Sequence, residues 1–223
     1  MSESHAVAYK ALRGRVREVV AGVDRSSLEL VVAATPEWRA HDVLAHLVGI
    51  TDDVVHGRLD GVASDSWTAA QVDARAALGT ADLLAEWDEC SPRFEDLLAA
   101  SPAEIAGQAV FDAATHEHDL RTAFGRPGAR DSDAVEVGWQ WLLDARTRGG
   151  APTLCFVMDG EEQTSGVGEV VARIGAPRFE LFRAVAGRRT ADEISRYEWS
   201  CEPDPALLLA ADFFSLSKTS LGE

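Results

Sequence analysis

From about residue 6 to residue 148 the apolar residues of this chain recur three and four apart, and at Gly149-Gly150-Ala151-Pro152 that rhythm stops. A helical period obliges each segment to bury one stripe against another helix. A long run of such segments therefore packs as an antiparallel bundle. The spacing predicts helices over 6–22, 41–59, 81–99 and 131–147, a shorter or irregular one over 68–78, and one that begins near 103. In the first, Val7, Leu12, Val16, Val19 and Val20 make the stripe; residues 26–34 extend that helix or form a second short piece, and Thr35-Pro36 breaks the chain. Thr80 reads as an N-cap, and Ser101-Pro102-Ala103-Glu104 as a capping box with proline at the first helical position. After Pro152 the grammar is that of strands. TLCFVMDGEEQ is a strand followed by an Asp-Gly turn, EVVARIG is a second strand, and residues 177–187 are an amphipathic helix. Thr190-Ala191-Asp192-Glu193 is a capping box opening a short helix to about 196, Trp199 lies in an extended piece, and 205–214 reads as helical. The expected architecture is an all-α bundle over 1–149 followed by a small α+β domain over 150–223.

Composition narrows the partners. A net charge of −16 and a pI near 4.7 argue against a nucleic-acid or anionic-membrane binder, and against a DNA-binding regulator on the same ground. No stretch approaches the roughly 18 apolar residues of a membrane span. The N-terminus lacks the apolar core and cleavage site of a signal peptide, so the expected location is cytoplasmic. The three cysteines, Cys90, Cys155 and Cys201, are far apart and show neither a disulfide framework nor a CxxC zinc site. They read as small core hydrophobes.

The chemistry concentrates in FDAATHEHDLRTAFGRPG, residues 111–128. On a helix, Asp112 and His116 lie one turn apart on one face, with Asp119 three residues beyond the histidine. A carboxylate and an imidazole so spaced can reach one metal ion, or they can form a surface hydrogen bond. Glu117 and His118 point elsewhere and read as solvated. In the helix over 41–59, His46 falls at the border of the apolar stripe, on the row of Ile50 and Asp53. By itself it is either a partly buried histidine bonded to another helix, the commoner use, or a ligand. His41 and His56 sit near the two ends of that helix, where imidazoles often cap.

Two segments resemble one family. WRAHDVLAHLVG, residues 38–49, resembles the W-x-x-x-D-V-x-A-H-L-x-G signature of DinB-like bundles in actinobacteria, and residues 111–128 resemble the acid-x-x-x-H-x-x-D-L-R-x-A-x-G-R-P segment of the same group. GRRTADEISRYEW, residues 187–199, is similar to a stretch of the accompanying C-terminal domain. The whole chain is similar to the mycothiol-dependent maleylpyruvate isomerase family. The resemblance implies a DinB-like four-helix bundle with His46, Asp112 and His116 as ligands of a divalent metal, zinc first, and with an open position for water or a thiolate. It implies mycothiol as thiol cosubstrate and a small electrophile as substrate. Asp119 is then an acceptor behind a ligand, and Arg188 or Arg189, Arg188 first, binds substrate. The family has glutamate at the position of Asp112; aspartate is one methylene shorter, so the ion must sit nearer that helix or the geometry must loosen.

An open metal position holding a thiol as thiolate supports S-transfer or, by addition, rotation and elimination, cis–trans isomerisation. The rival enzymatic reading is a hydrolase that activates water at the same position. The non-enzymatic rival is a small-molecule or metal-binding protein that uses the bundle for capture. A monomer or a homodimer fits the chain equally.

Overall fold

The computed structural model describes residues 2–209 and 214–223. The elements run α1 (Ser2–Val20), α2 (Arg25–Leu28), α3 (Ala40–Val55), α4 (Asp65–Arg75), α5 (Thr80–Ala100), α6 (Ala103–Ala123) and α7 (Asp133–Arg148). Next come β1 (Pro152–Met158), β2 (Glu161–Ser165), β3 (Val167–Gly175), α8 (Arg178–Val185), α9 (Ala191–Ile194), β4 (Glu198–Trp199) and a 3-10 turn at Pro205–Leu208. The chain divides into two compact units, Met1–Gly128 and Ala129–Glu223. The expected border at 149/150 puts α7 with the bundle, whereas its contacts group it with the second unit, because it packs on α8 and β2.

In the first unit α1 packs against α5 and α6, and α3 packs against the same two helices. The four close into a ring with α1 and α3 at opposite corners, and α4 lies on α3. Leu12, Val16, Val43, Leu44, Leu83, Trp87, Phe94 and Val110 fill the interior. One polar link crosses this core. The Trp87 indole donates to the Tyr9 hydroxyl at 3.0 Å, which meets Thr51 Oγ1 at 2.8 Å. Burial pushes the Tyr9 phenol up to about 12, so this link stays uncharged over the whole working pH range.

Some local expectations change. Val7 is exposed, and Ala8 and Tyr9 take its place on the buried face of α1. Pro102 is the N-cap of α6 rather than its first helical residue and makes no side-chain capping bond; Ser101 donates to the Leu97 carbonyl at 2.7 Å. Thr80 is the first residue of α5, not its cap, since Asp82 folds back to accept from the Gly79 N–H. Thr190 and Glu193 do form the reciprocal box, with the Thr190 N–H donating to Glu193 at 2.8 Å. Of the helix expected over 205–214, the first four residues form the 3-10 turn, residues 210–213 lie outside the described residues, and Phe214 belongs to no regular element. Cys90 and Cys155 are buried, but Cys201 is exposed and is no core residue.

In the second unit the sheet order is β2-β1-β3-β4. β1 and β2 are an antiparallel hairpin around Asp159-Gly160, whose positive φ angles of 52° and 85° suit the tight turn that matches strand twist. β2 returns the chain to the start of β1, so the parallel strand β3 needs only Gly166 to cross to the other side. A Cβ there would lie 2.5 Å from the Pro152 carbonyl oxygen, which is why the crossing residue is glycine. β1, flanked on both edges, is the buried centre of the sheet, and Trp139 of α7 packs edge-on against its Phe156.

Candidate metal centre

α3 and α6 bring His46, Asp112 and His116 together, with one ligand atom from each residue all within 4.8 Å of one another. His46 Nε2 lies 3.6 Å from Asp112 Oδ2, and His116 Nε2 lies 3.8 Å from Asp112 Oδ1. A tetrahedral ion with bonds near 2.0–2.1 Å needs donors roughly 3.3 Å apart, and each imidazole comes within about half an ångström of that spacing to a different oxygen of the Asp112 carboxylate. The shorter aspartate thus reaches both imidazoles from the helix it shares with His116. The two histidines are buried, while about a third of the Asp112 side chain is exposed, so the cluster opens to solvent on the carboxylate side.

The protonation pattern can be read from partners that have no choice. Asp119, fully buried, accepts from His116 Nδ1 at 3.1 Å. His46 Nδ1 meets Gln71 Oε1 at 2.9 Å, and Gln71 Nε2 donates to Asp53 Oδ2 at 2.8 Å. A carboxylate only accepts, so the Gln71 nitrogen must face Asp53 and its oxygen must face His46. Both imidazoles therefore carry hydrogen on Nδ1, and in the neutral form each turns a lone pair on Nε2 toward Asp112. Two lone pairs converging on a carboxylate form a donor set that fits a divalent cation. Trp38 walls the cluster. Its ring stacks on His116 at 5.8 Å and 28° and leans on His46 at 5.1 Å.

Glu117 and His118 are not solvated but buried. α6 lies between α1 and α3, and Ala106, Gly107, Ala113 and Ala114 are small enough for neighbours to close over the polar residues beside them. Arg15 donates twice to the Glu117 carboxylate, at 2.9 and 2.8 Å, and Arg121 donates from one turn along at 3.0 Å. Of the other histidines, His56 caps the C-terminus of α3, while His41 Nε2 contacts the Leu78 carbonyl oxygen rather than capping its own helix. A second group, Asp52, His56 and Cys90, also converges. Arg58 and Arg75 already hold that aspartate, and two guanidiniums on the carboxylate oppose a cation.

In the second unit Arg189 is buried between Glu180, at 2.7 Å, and Glu223, at 2.7 Å. Arg188 is half-buried and donates to the Ala186 carbonyl at 3.0 Å. Sequence reasoning missed Gln71 and its partner Asp53 as site residues, and had Trp38 only as the start of a motif. Gln71 is on a helix with no motif of its own; its one signal is Gly49, at which a Cβ would lie 2.5 Å from the Gln71 Cβ.

A ring of four helices that buries two histidines against one carboxylate, ahead of a small sheet-containing unit, defines a bundle protein with a three-residue cluster that could hold a metal ion. The family profile described as the mycothiol maleylpyruvate isomerase N-terminal domain matches residues 9–145, and the chain belongs to that family. The match runs through most of α7. A crystal structure of the mycothiol-dependent maleylpyruvate isomerase superposes with a TM-score of 0.59 at 12% identity, over 92% of this chain and 95% of that one. A histidine-to-alanine mutant of that enzyme superposes with a TM-score of 0.65 at 13% identity over the same shares. At such identity the likeness establishes the fold. No curated protein sequence matches significantly. No helix among the described residues is long and apolar enough to cross a membrane.

Proposed function

We propose that the protein is a mycothiol-dependent S-transferase or cis–trans isomerase for a small electrophile, and that His46, Asp112 and His116 hold its divalent metal, zinc first. The observation that carries this reading is the convergence of two imidazole Nε2 atoms, each ring fixed by a bond at Nδ1, on a carboxylate open to solvent. When bound, the ion supplies the Lewis acidity that keeps a thiol deprotonated at neutral pH. The chain's own residues do the rest. Gln71 and Asp119 hold the rings, Trp38 excludes water from one side, and the exposed edge of Asp112 leaves the approach for thiol and electrophile. Thiolate addition to an activated alkene carbon, rotation about the resulting single bond and expulsion of the same thiolate isomerise the substrate and return the thiol. Retention of the adduct, with a proton taken up at the neighbouring carbon, is S-transfer.

Arg188 is assigned to a substrate carboxylate from its place in the GRRTADEISRYEW segment, its planar guanidinium matching a carboxylate in shape and charge. The free cysteines suit a reducing compartment, and we place the activity in the cytoplasm. The test is turnover of a panel of cis-unsaturated carboxylates and other soft electrophiles, with and without mycothiol. Activity that requires the thiol supports the proposal. Thiol-independent hydrolysis, or metal binding without any turnover, would replace it with one of the two rivals.

A further inference from the structure

Outside the three donors, the residue whose placement is hardest to explain as packing alone is Gln71. It is 2% exposed, it comes from α4, and it spends both ends of its amide on other residues. Its nitrogen donates to Asp53, its oxygen accepts from His46, and Asp53 is itself held by Arg58 Nε at 2.8 Å. Arg58 also reaches Asp52, so the row Arg58–Asp53–Gln71–His46 is anchored at its outer end. Every polarity in that row is dictated by its first member. Guanidinium can only donate and carboxylate can only accept, so the amide is oriented and Nδ1 of His46 must carry the hydrogen.

A second, independent observation lies in the backbone. α4 sits so close to α3 that a Cβ on Gly49 would be 2.5 Å from Gln71 Cβ, 2.8 Å from its Cγ and 3.0 Å from Arg75 Nη1. Position 49 lacks a side chain where Gln71 needs the space. His116, by contrast, is oriented from within its own helix by Asp119. One histidine is thus held by a carboxyl group three residues along the chain, and the other by an amide from a separate helix.

We infer that Gln71 is a positioning residue for His46: it fixes the ring and its Nδ1–H tautomer, and through it α4 controls whether the donor set is formed. The inference rests on the metal reading for its consequence but not for its geometry. A ring released from Gln71 can rotate or move its hydrogen to Nε2, and the lone pair then no longer faces Asp112. The cost of losing such a partner is about 10- to 100-fold in metal affinity.

The experiment uses the full chain, metal-free and labelled with nitrogen-15 at histidine, at about pH 8, where an ordinary imidazole is neutral. Two-bond proton–nitrogen correlations report which nitrogen of His46 carries hydrogen. The expected result is one Nδ1–H form in the wild type and a mixture, or the Nε2–H form, in Gln71→Leu. Asp53→Ala changes a more exposed residue and frees the amide to rotate. It should shift the tautomer in the same direction, and it carries the test if Gln71→Leu does not fold. The double variant Gln71→Glu with Asp53→Asn reverses acid and amide but keeps an acceptor for Nδ1, and should restore the wild-type form. Zinc affinity, by competition with a chromogenic chelator, should fall about 10- to 100-fold in Gln71→Leu and recover in the double variant. An unchanged tautomer in both single variants would overturn the inference even if zinc binds. A shifted tautomer in a protein that takes up no zinc would uphold the positioning role and remove the metal reading instead.

Discussion

Gly49→Ala separates packing from function in a way the structure makes quantitative. The added carbon would stand 2.5 Å from Gln71 Cβ, whereas carbon atoms settle about 3.5–4.0 Å apart. α4 must therefore retreat by about 1 Å or more, since the obstructing atom is next to the backbone and cannot swing aside. The same shift takes Gln71 Oε1, now 2.9 Å from His46 Nδ1, out of hydrogen-bonding range. Overpacking costs about 1–3 kcal/mol, and alanine offsets up to about 1 kcal/mol of that through its better helix propensity. The net loss of folding stability is then about 0–3 kcal/mol. Zinc affinity should fall about 10- to 100-fold, or about 1.4–2.7 kcal/mol. Urea unfolding of the metal-free protein and chelator competition on the same preparation read the two quantities side by side. Unchanged zinc affinity in a folded variant would refute the coupling of α4 to the site. A stability loss well beyond 3 kcal/mol would refute the view that α4 can yield.

Other perturbations test other parts of the fold. Glu117→Ala should cost about 2–4 kcal/mol in urea unfolding, because it strands Arg15 and Arg121 beside a buried position; a loss below 1 kcal/mol would return Glu117 to the solvated role its sequence context suggests. Gly166→Ala should destabilise the second unit by at least about 2 kcal/mol, since it combines a 2.5 Å approach to the Pro152 carbonyl with a φ of 129°, and a neutral result would contradict the strand crossing. Glu223 supplies a pH test. Burial pushes its carboxyl up, but Arg183 and Arg189 more than offset this and hold it below its ordinary value of 4.5. A carboxyl with a depressed folded pKa adds stability that is complete above its unfolded pKa and disappears as pH falls through the folded one. Thermal melts from pH 7 downward should therefore show a loss below about pH 4.5 that Glu223→Gln lacks, that variant being less stable at pH 7; parallel profiles would contradict the clamp.

How much of this could be read from the residues depends on the range of the interaction. Helix order and the break at Gly149-Gly150-Ala151-Pro152 are local, and α1, α3, α5 and α7 appear close to where the apolar period puts them. His46, Asp112 and His116 stand in two recognisable segments, and the structure brings them together. Gln71 had no such signal, because its partners come from α3 and its own neighbours on α4 show an ordinary pattern. Glu117 and His118 were misassigned for a related reason. A polar residue on a helix with solvent on one side is exposed, but α6 has α1 on one flank and α3 on the other. Strand β2, EEQTS, is mostly polar and pairs because the Asp159-Gly160 turn folds it back on β1, a relation that propensity does not carry. Ser101-Pro102 shows the limit of cap motifs: the pattern starts the helix within a residue, yet the serine bonds backwards to α5.

Whether His46, Asp112 and His116 hold a metal ion is tested most directly by elemental analysis of untagged protein reconstituted with zinc. Near-stoichiometric zinc in the wild type, lost in His46→Ala, Asp112→Ala and His116→Ala while each variant still melts cooperatively, is the predicted result. A wild-type chain that remains metal-free, or variants that keep their zinc, would contradict the assignment of these three residues as ligands.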